Sequence, residues 1–209
     1  MNRRRRLGGD RSFCFADGMT GSPRAVLLVF ALLACGGPAA VTWSSLAEGA
    51  ATPAQQAAVA RGEAAWQALG KTLLGELTAA VNERGAVAAI EVCRQRAPVL
   101  ATEVARQHGV RLGRTSLRTR NAANTAPAWA TGAIAANEPV SARFLASDGT
   151  LGLLQPIQLA PMCVQCHGNP DELAAGVGDA LHRLYPEDRA TGFAAGDLRG
   201  WFWVELQGN

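Results

Sequence analysis

The sequence predicts an α+β domain. Three observations carry that expectation. Two adjoining stretches with apolar residues at helical spacing come first, two short apolar runs joined by an Asp-Gly turn follow, and an aromatic strand closes the chain. From Pro53 to about Val81, Trp66, Leu69, Leu73, Leu77 and Val81 recur three or four residues apart, the stripe of an amphipathic helix. "NERGA" (Asn82–Ala86) breaks it. A second stripe follows in Ile90, Cys93, Ala97, Leu100 and Val104, with a kink or restart expected at Pro98, which lacks an N–H and crowds the preceding turn. Gly109 is the expected C-cap.

The pattern then changes. Val110–Asn121 reads as extended chain, and Ala126–Ala136 as a short helix. Ser141–Ala160 reads as two strands joined at "SDGT". Asp171–Pro186 reads as one helix ended by Pro186. Gly196–Gln207 is a strand with Trp201 and Trp203 on one face and Phe202 and Val204 on the other. The two tryptophans are assigned to the core, Asn121 and Asn124 to turns, and Asp188 and Asp197 to turns and caps.

The N-terminus has a different character. Six arginines (Arg3 to Arg6, Arg11 and Arg24) precede Cys35, opposed only by Asp10 and Asp17, so losing that segment turns the net charge from +3 to −1. The remaining chain offers no electrostatic case for nucleic-acid binding. Ala25–Ala34 is an apolar run too short to span a bilayer and the length of a signal-peptide core, with Met19 an alternative start. Residues 1–35 are therefore read as a signal peptide, 36–52 as a Gly/Pro/Ala-rich linker and 53–209 as the functional domain. "LLAC" at Leu32–Cys35 is similar to a lipoprotein cleavage box, which would attach the chain to a membrane by lipid at Cys35; the alternatives are cleavage after Ala47 or an uncleaved anchor. The expected location is the periplasm, soluble or lipid-anchored.

"APMCVQCHG" (Ala160–Gly168) holds the chemistry. Cys163, Cys166 and His167 form a Cys-x-x-Cys-His run, the spacing that attaches one haem c covalently. Two thiols add to the two porphyrin vinyl groups, and the histidine takes the proximal axial position of the iron. Haem of this type is attached outside the bacterial cytoplasm, in agreement with an export signal. Cys14 and Cys35 lie in the N-terminal tail. The thioethers then use a pair of the three remaining cysteines and leave Cys93 alone. A zinc site from these residues is disfavoured because adjacent Cys and His fit a tetrahedron poorly, and a redox disulfide because the thioredoxin-like context is absent.

The other face of the iron is open to several residues. Met1 and Met19 lie in the tail, and Met162 adjoins Cys163 and is poorly placed to reach the far side, so an ordinary His/Met electron carrier is not expected. Cys93, His108, His182, Tyr185 and Lys71 remain, or no ligand at all. His182 follows the motif closely and is the histidine alternative for the distal ligand. Cys93 sits on the apolar stripe of its helix, where a buried core cysteine is the plain reading, yet Arg94 and Arg96 flank it and could lower its pKa. Arg114, Arg118 and Arg120 are candidate partners for the haem propionates, since guanidinium forks suit carboxylates. Arg118 and Arg120 would share one face of a strand.

Four ordered segments bear on the choice: "AIEVCRQRAP" (Ala89–Pro98), "GRTSLRTRNAANTAPAW" (Gly113–Trp129), "CVQCHG" (Cys163–Gly168) and "YPEDRATGFAAGDLRGWFWV" (Tyr185–Val204). Together they resemble the Tll0287-like family of c-type haem domains, formerly a domain of unknown function, over roughly Pro53 to the end. The resemblance implies a PAS-like antiparallel sheet with long N-terminal helices, and His/Cys axial ligation with His167 proximal and Cys93 distal. Related domains often precede signalling modules, which implies a redox or small-gas sensor. This chain is expected to stop after the haem domain, so a separate redox or signalling partner would be needed.

The leading expectation is thus an exported c-type haem protein acting as a redox or small-gas sensor, binding CO, NO or O₂ on reduction. The alternative is a low-potential periplasmic electron-transfer cytochrome with His/His or His/Cys ligation. An enzyme is not expected; a peroxidase would need His108 or His182 as a distal base.

Overall fold

A computed structural model describes residues 40–208. The signal-peptide and lipidation assignments, including Cys35, and the first four residues of the linker lie outside the described residues. Helix α1 (Pro53–Arg84) opens on a capping box: the Gln55 N–H donates to the Thr52 hydroxyl at 3.2 Å and the Thr52 N–H to the Gln55 side chain at 2.9 Å, with Pro53 in the first turn, where its missing N–H costs nothing. It runs three residues past the expected Val81, to Gly85, whose φ of 83° suits glycine. Helix α2 (Ala86–His108) ends at Gly109 in the left-handed conformation, its N–H bonding back to the Ala105 and Arg106 carbonyls. Pro98 falls inside this one continuous helix rather than dividing it, on its exposed side.

Five antiparallel strands, β1 (Trp43–Ser45), β2 (Arg111–Thr115), β3 (Ala142–Ala146), β4 (Thr150–Gln158) and β5 (Leu198–Gln207), form one sheet in the order β1-β3-β4-β5-β2. Strand alternation gives the sheet two apolar faces. Leu151, Leu153, Val204 and Leu206 pack with Leu69, Leu73, Leu100 and Val104, the stripes of α1 and α2. Leu154, Trp201 and Trp203 pack on the other face with Trp129 and Ile134, Ile134 lying in the short helix α3 (Thr131–Ala136). Each fully buried Leu or Val contributes about 1.5–3 kcal/mol against leaving it in water. Trp201 and Trp203 are thus core residues, and Phe202 and Val204 face the helices, as the alternation predicts.

Three expectations need correction. The 36–52 segment is not all linker: Trp43–Ser45 pairs with Phe144–Ala146, and Trp43 stacks on Trp129 with ring centroids 5.2 Å apart. The extended stretch 110–121 is a strand only as far as Thr115. Ser116 then accepts the Arg118 N–H on its hydroxyl at 3.0 Å, a local turn that competes with the ladder, so Arg118 and Arg120 do not share a strand face. The 171–186 helix is shortened to α5 (Val177–Leu184), because Gly176 at φ 76° separates it from the turn at Pro170–Glu172.

Gly113, paired with Trp203 where β2 meets β5, shows how tightly the face away from the long helices is built. A Cβ there would stand 2.4 Å from the Trp203 ring, so the ring or the backbone would have to shift. Gly113→Ala is expected to lower unfolding free energy by about 1–3 kcal/mol, read as a lower urea midpoint at unchanged slope.

Candidate functional site

The site lies where the end of β4 turns into the Cys-x-x-Cys-His segment. Pro161–Cys163 makes one tight turn and helix α4 (Val164–His167) a second. Helical spacing puts Cys163 and Cys166 on one side of this turn. Gly168 closes it with its N–H on the Val164 carbonyl at 2.8 Å, and a Cβ at Gly168 would meet that carbonyl at 2.6 Å. Cys93, Cys163 and Cys166 are all free thiols.

Three adjoining cavities meet at Cys93, Arg120 and His167, which line all of them. The largest, about 390 Å³, is mainly apolar, bounded by Leu73 and Leu77 of α1, Ile157 of β4 and Phe202 of β5, and it reaches Cys163. A second, about 290 Å³, is polar and holds Arg114, Arg120, Asn121, Asn124, Tyr185 and Arg199. A third, about 80 Å³, lies between α1, α2 and the two motif cysteines. Together they offer an apolar slot with thiols at one edge and cations at another, in the size range of small-molecule sites (roughly 300–1,000 Å³).

The charge balance of this space is uneven. Arg120 pairs with Asp188, N to O 3.2 Å, both nearly buried. No such pair holds Arg114 or Arg199 among the described residues. Burial lowers the Arg114 pKa, and burial together with Arg120 brings Arg199 down to about 10. Nη1 of Arg120 and Nε of Arg199 are buried with no hydrogen-bond partner. Buried unpaired cations are costly, so the cavity's donor set suits a ligand that carries acid groups.

His167 is held as a neutral ring. Burial, then Arg120 and Arg199, push its pKa well below the usual histidine value. Its Nδ1 lies 2.6 Å from the Ala190 carbonyl, which can only accept, so Nδ1 carries the proton and Nε2 keeps its lone pair. Burial also raises the Cys93 pKa, against the pull of Arg114, Arg120 and Arg199, so the thiol is protonated at neutral pH in this state. The expected influence of Arg94 and Arg96 is therefore corrected: both are exposed, and Arg96 pairs with Glu76 at 2.8 Å. Tyr185 is raised to about 12, first by burial and then by Cys93, and stays a neutral phenol.

Cys93, Cys163, His167, Arg114 and Arg120 come together as read from the sequence. Arg118 does not: it is exposed and lies over the Phe193 ring, 4.1 Å from its centroid, outside all three cavities. His182 does not either. Val177, Ala180 and Leu181 turn the apolar side of α5 against Ile90, which leaves His182 exposed on the other side, in the last turn. His108 and Lys71 also line none of these cavities. Asn121 makes the turn assigned to it, accepting the Ala123 N–H at 3.0 Å, yet it also walls the polar cavity. Sequence reasoning missed Arg199 and the partnership of Asp188. The only signal for Arg199 is a positive charge entering the aromatic strand beside Gly200.

The described residues thus form an α+β domain with two neighbouring thiols and a histidine at the edge of a cation-walled slot. The chain belongs to the Tll0287-like family, whose model matches residues 44–206. Its fold is similar to that of the crystal structure of the cyanobacterial heme-protein Tll0287: 22% identity, 75% of this chain and 97% of that chain covered, TM-score 0.54. No curated protein matches it.

Proposed function

We propose that this protein is an exported c-type haem protein with one covalent haem, His167 as proximal and Cys93 as distal axial ligand, acting as a redox or small-gas sensor. The observation that carries the reading is that Cys93, far from the Cys-x-x-Cys-His motif in sequence, lines one apolar slot with Cys163 and His167. The likeness to a protein described as a heme-protein supports it. So does the donor set. The unpartnered Arg120 Nη1 and Arg199 Nε, with Arg114 beside them, fit the two propionates of a haem. A bound haem supplies a one-electron couple and, when reduced, an affinity for diatomic gases.

The chain's own residues do the rest. Cys163 and Cys166 would hold the haem covalently, through one thioether each to its two vinyl groups. His167 presents Nε2, its tautomer set by the Ala190 carbonyl. Cys93 sits where burial favours the neutral thiol while three arginines favour the thiolate. A thiolate favours ferric iron and would hold ferrous iron less firmly, so a Cys93 that leaves on reduction would be a two-state element for sensing. The five-stranded antiparallel sheet with two long helices across one face is read as PAS-like. A peroxidase would need His108 or His182 as a distal base, and neither lines the slot. Location in the periplasm, soluble or lipid-anchored through Cys35, belongs to the same reading, as does an unidentified redox or signalling partner.

The second reading, a low-potential electron carrier, keeps Cys93 bound in both redox states. Haem staining of a denaturing gel after expression with a c-type haem attachment system tests the common core: a stained band of the chain's mass is expected, and an unstained one contradicts covalent haem. Carbon monoxide then separates the two roles. A spectral shift on adding it to the reduced protein is expected of the sensor, and no shift of the carrier.

A further inference from the structure

Three stretches without long regular structure meet behind His167: 117–120, 166–168 and 188–193. Arg120 joins them, buried at 7% exposure. Its Nε faces both Asp188 carboxylate oxygens, at 3.2 and 3.3 Å. Its Nη2 donates to the Cys166 carbonyl at 2.5 Å and to the Ala190 carbonyl at 3.2 Å. That same Ala190 carbonyl accepts the His167 Nδ1–H, and the Ala190 N–H donates to Asp188 at 2.9 Å. The ion pair thus grips both backbone groups of Ala190, the residue at which His167 aims. Two further bonds align the stretches, from the Gly192 N–H to Gly168 and from the Phe193 N–H to the His167 carbonyl, at 2.6 and 2.9 Å.

A buried ion pair is weak evidence for stability, because apolar residues of similar volume often serve as well. Its geometry here points to another use. We propose that Arg120 and Asp188 are positioning residues for His167: they fix, through the Ala190 backbone, the orientation and tautomer of the ring, and the free Nη1 of Arg120 links that hydrogen bond to an acid group of the ligand in the cavity. This rests on the haem reading. Partners of a ligating histidine raise its basicity, and changing them typically costs about 10–100-fold in metal affinity or activity. Loosening the Ala190 carbonyl makes the imidazole a poorer donor, favours ferrous over ferric iron and raises the potential.

The test uses haem-loaded wild type, Arg120→Lys and Asp188→Asn, with two readouts: the midpoint potential and the His167 Nδ1–H signal in ¹⁵N-histidine NMR. Arg120→Lys keeps the charge but not the fork, so its shift is not a lost charge. Both variants are expected to raise the potential by about a tenfold change in the oxidised-to-reduced ratio, roughly 59 mV for one electron, and to speed Nδ1–H exchange with solvent. Unchanged potential and exchange in both, even with a lower melting temperature, would overturn the proposal. If neither variant accumulates, the wild type decides: a slowly exchanging Nδ1–H is expected, and free exchange refutes the positioning. If the wild type carries no haem, the functional reading fails by itself, and the Nδ1–H exchange of the haem-free chain still reports on the network.

Discussion

Loaded with haem, the Cys93→Ala variant is expected to lose the low-spin ferric spectrum of the wild type and become high-spin, or to acquire a different axial ligand, with its thioethers intact. Cys93 lies on α2 at the junction of all three cavities, facing the same slot as His167. No described histidine besides His167 and no methionine lines the 390 Å³ slot, so nothing comparable stands ready to replace the sulfur there. Met162 reaches only the small third cavity, where its sulfur lies 3.8 Å from the Thr78 hydroxyl. Fold loss is not expected, because alanine occupies the same helix position and adds no volume. Optical spectra of ferric and ferrous forms beside the wild type make the comparison. Superimposable spectra would return Cys93 to the role of a core residue.

The largest effect on haem retention should come from the double variant Cys163→Ala/Cys166→Ala. Its haem should dissociate in detergent and leave an unstained band, because axial bonds and packing do not survive denaturation whereas thioethers do. Either single variant should keep a stained band through one remaining thioether. The folded double variant is still expected to bind haem reversibly, since His167, Cys93 and the arginines remain. Mass spectrometry of the three variants under denaturing conditions measures the attached haem directly. Stain retained in the double variant would contradict attachment through these two sulfurs.

How much of this was legible in the sequence follows from what is local. Cys163, Cys166 and His167 form a covalent pattern within five residues, and nothing distant alters it. The helices α1 and α2 and the aromatic strand β5 were legible because each is long enough to show its period several times. Strand β1 was not. Three residues cannot display an alternation, and the reason Trp43 is ordered is its stacking on Trp129, a tertiary contact. Cys93 is the intermediate case: its stripe predicted an inward side chain, and only the family resemblance separated a ligand from a core thiol. The arginines show the limit most clearly. Period two places Arg118 and Arg120 on one strand face, but the strand ends at Thr115, where the Ser116 hydroxyl accepts the Arg118 N–H in a local turn. Arg120 then buries its fork against Asp188, and Arg118 lies out over Phe193. Arg199 carried no usable local signal, because its place beside Arg114 and Arg120 is created by β2 pairing with β5.

The central claim is that one sulfur from α2 and one nitrogen from the Cys-x-x-Cys-His turn share the iron. X-ray absorption at the iron edge of ferric, haem-loaded wild type tests it most directly. A first shell of five nitrogens and one sulfur, with the sulfur lost in Cys93→Ala, is the result predicted. A sulfur-free shell in the wild type, with six nitrogens or an oxygen in sixth place, would contradict it.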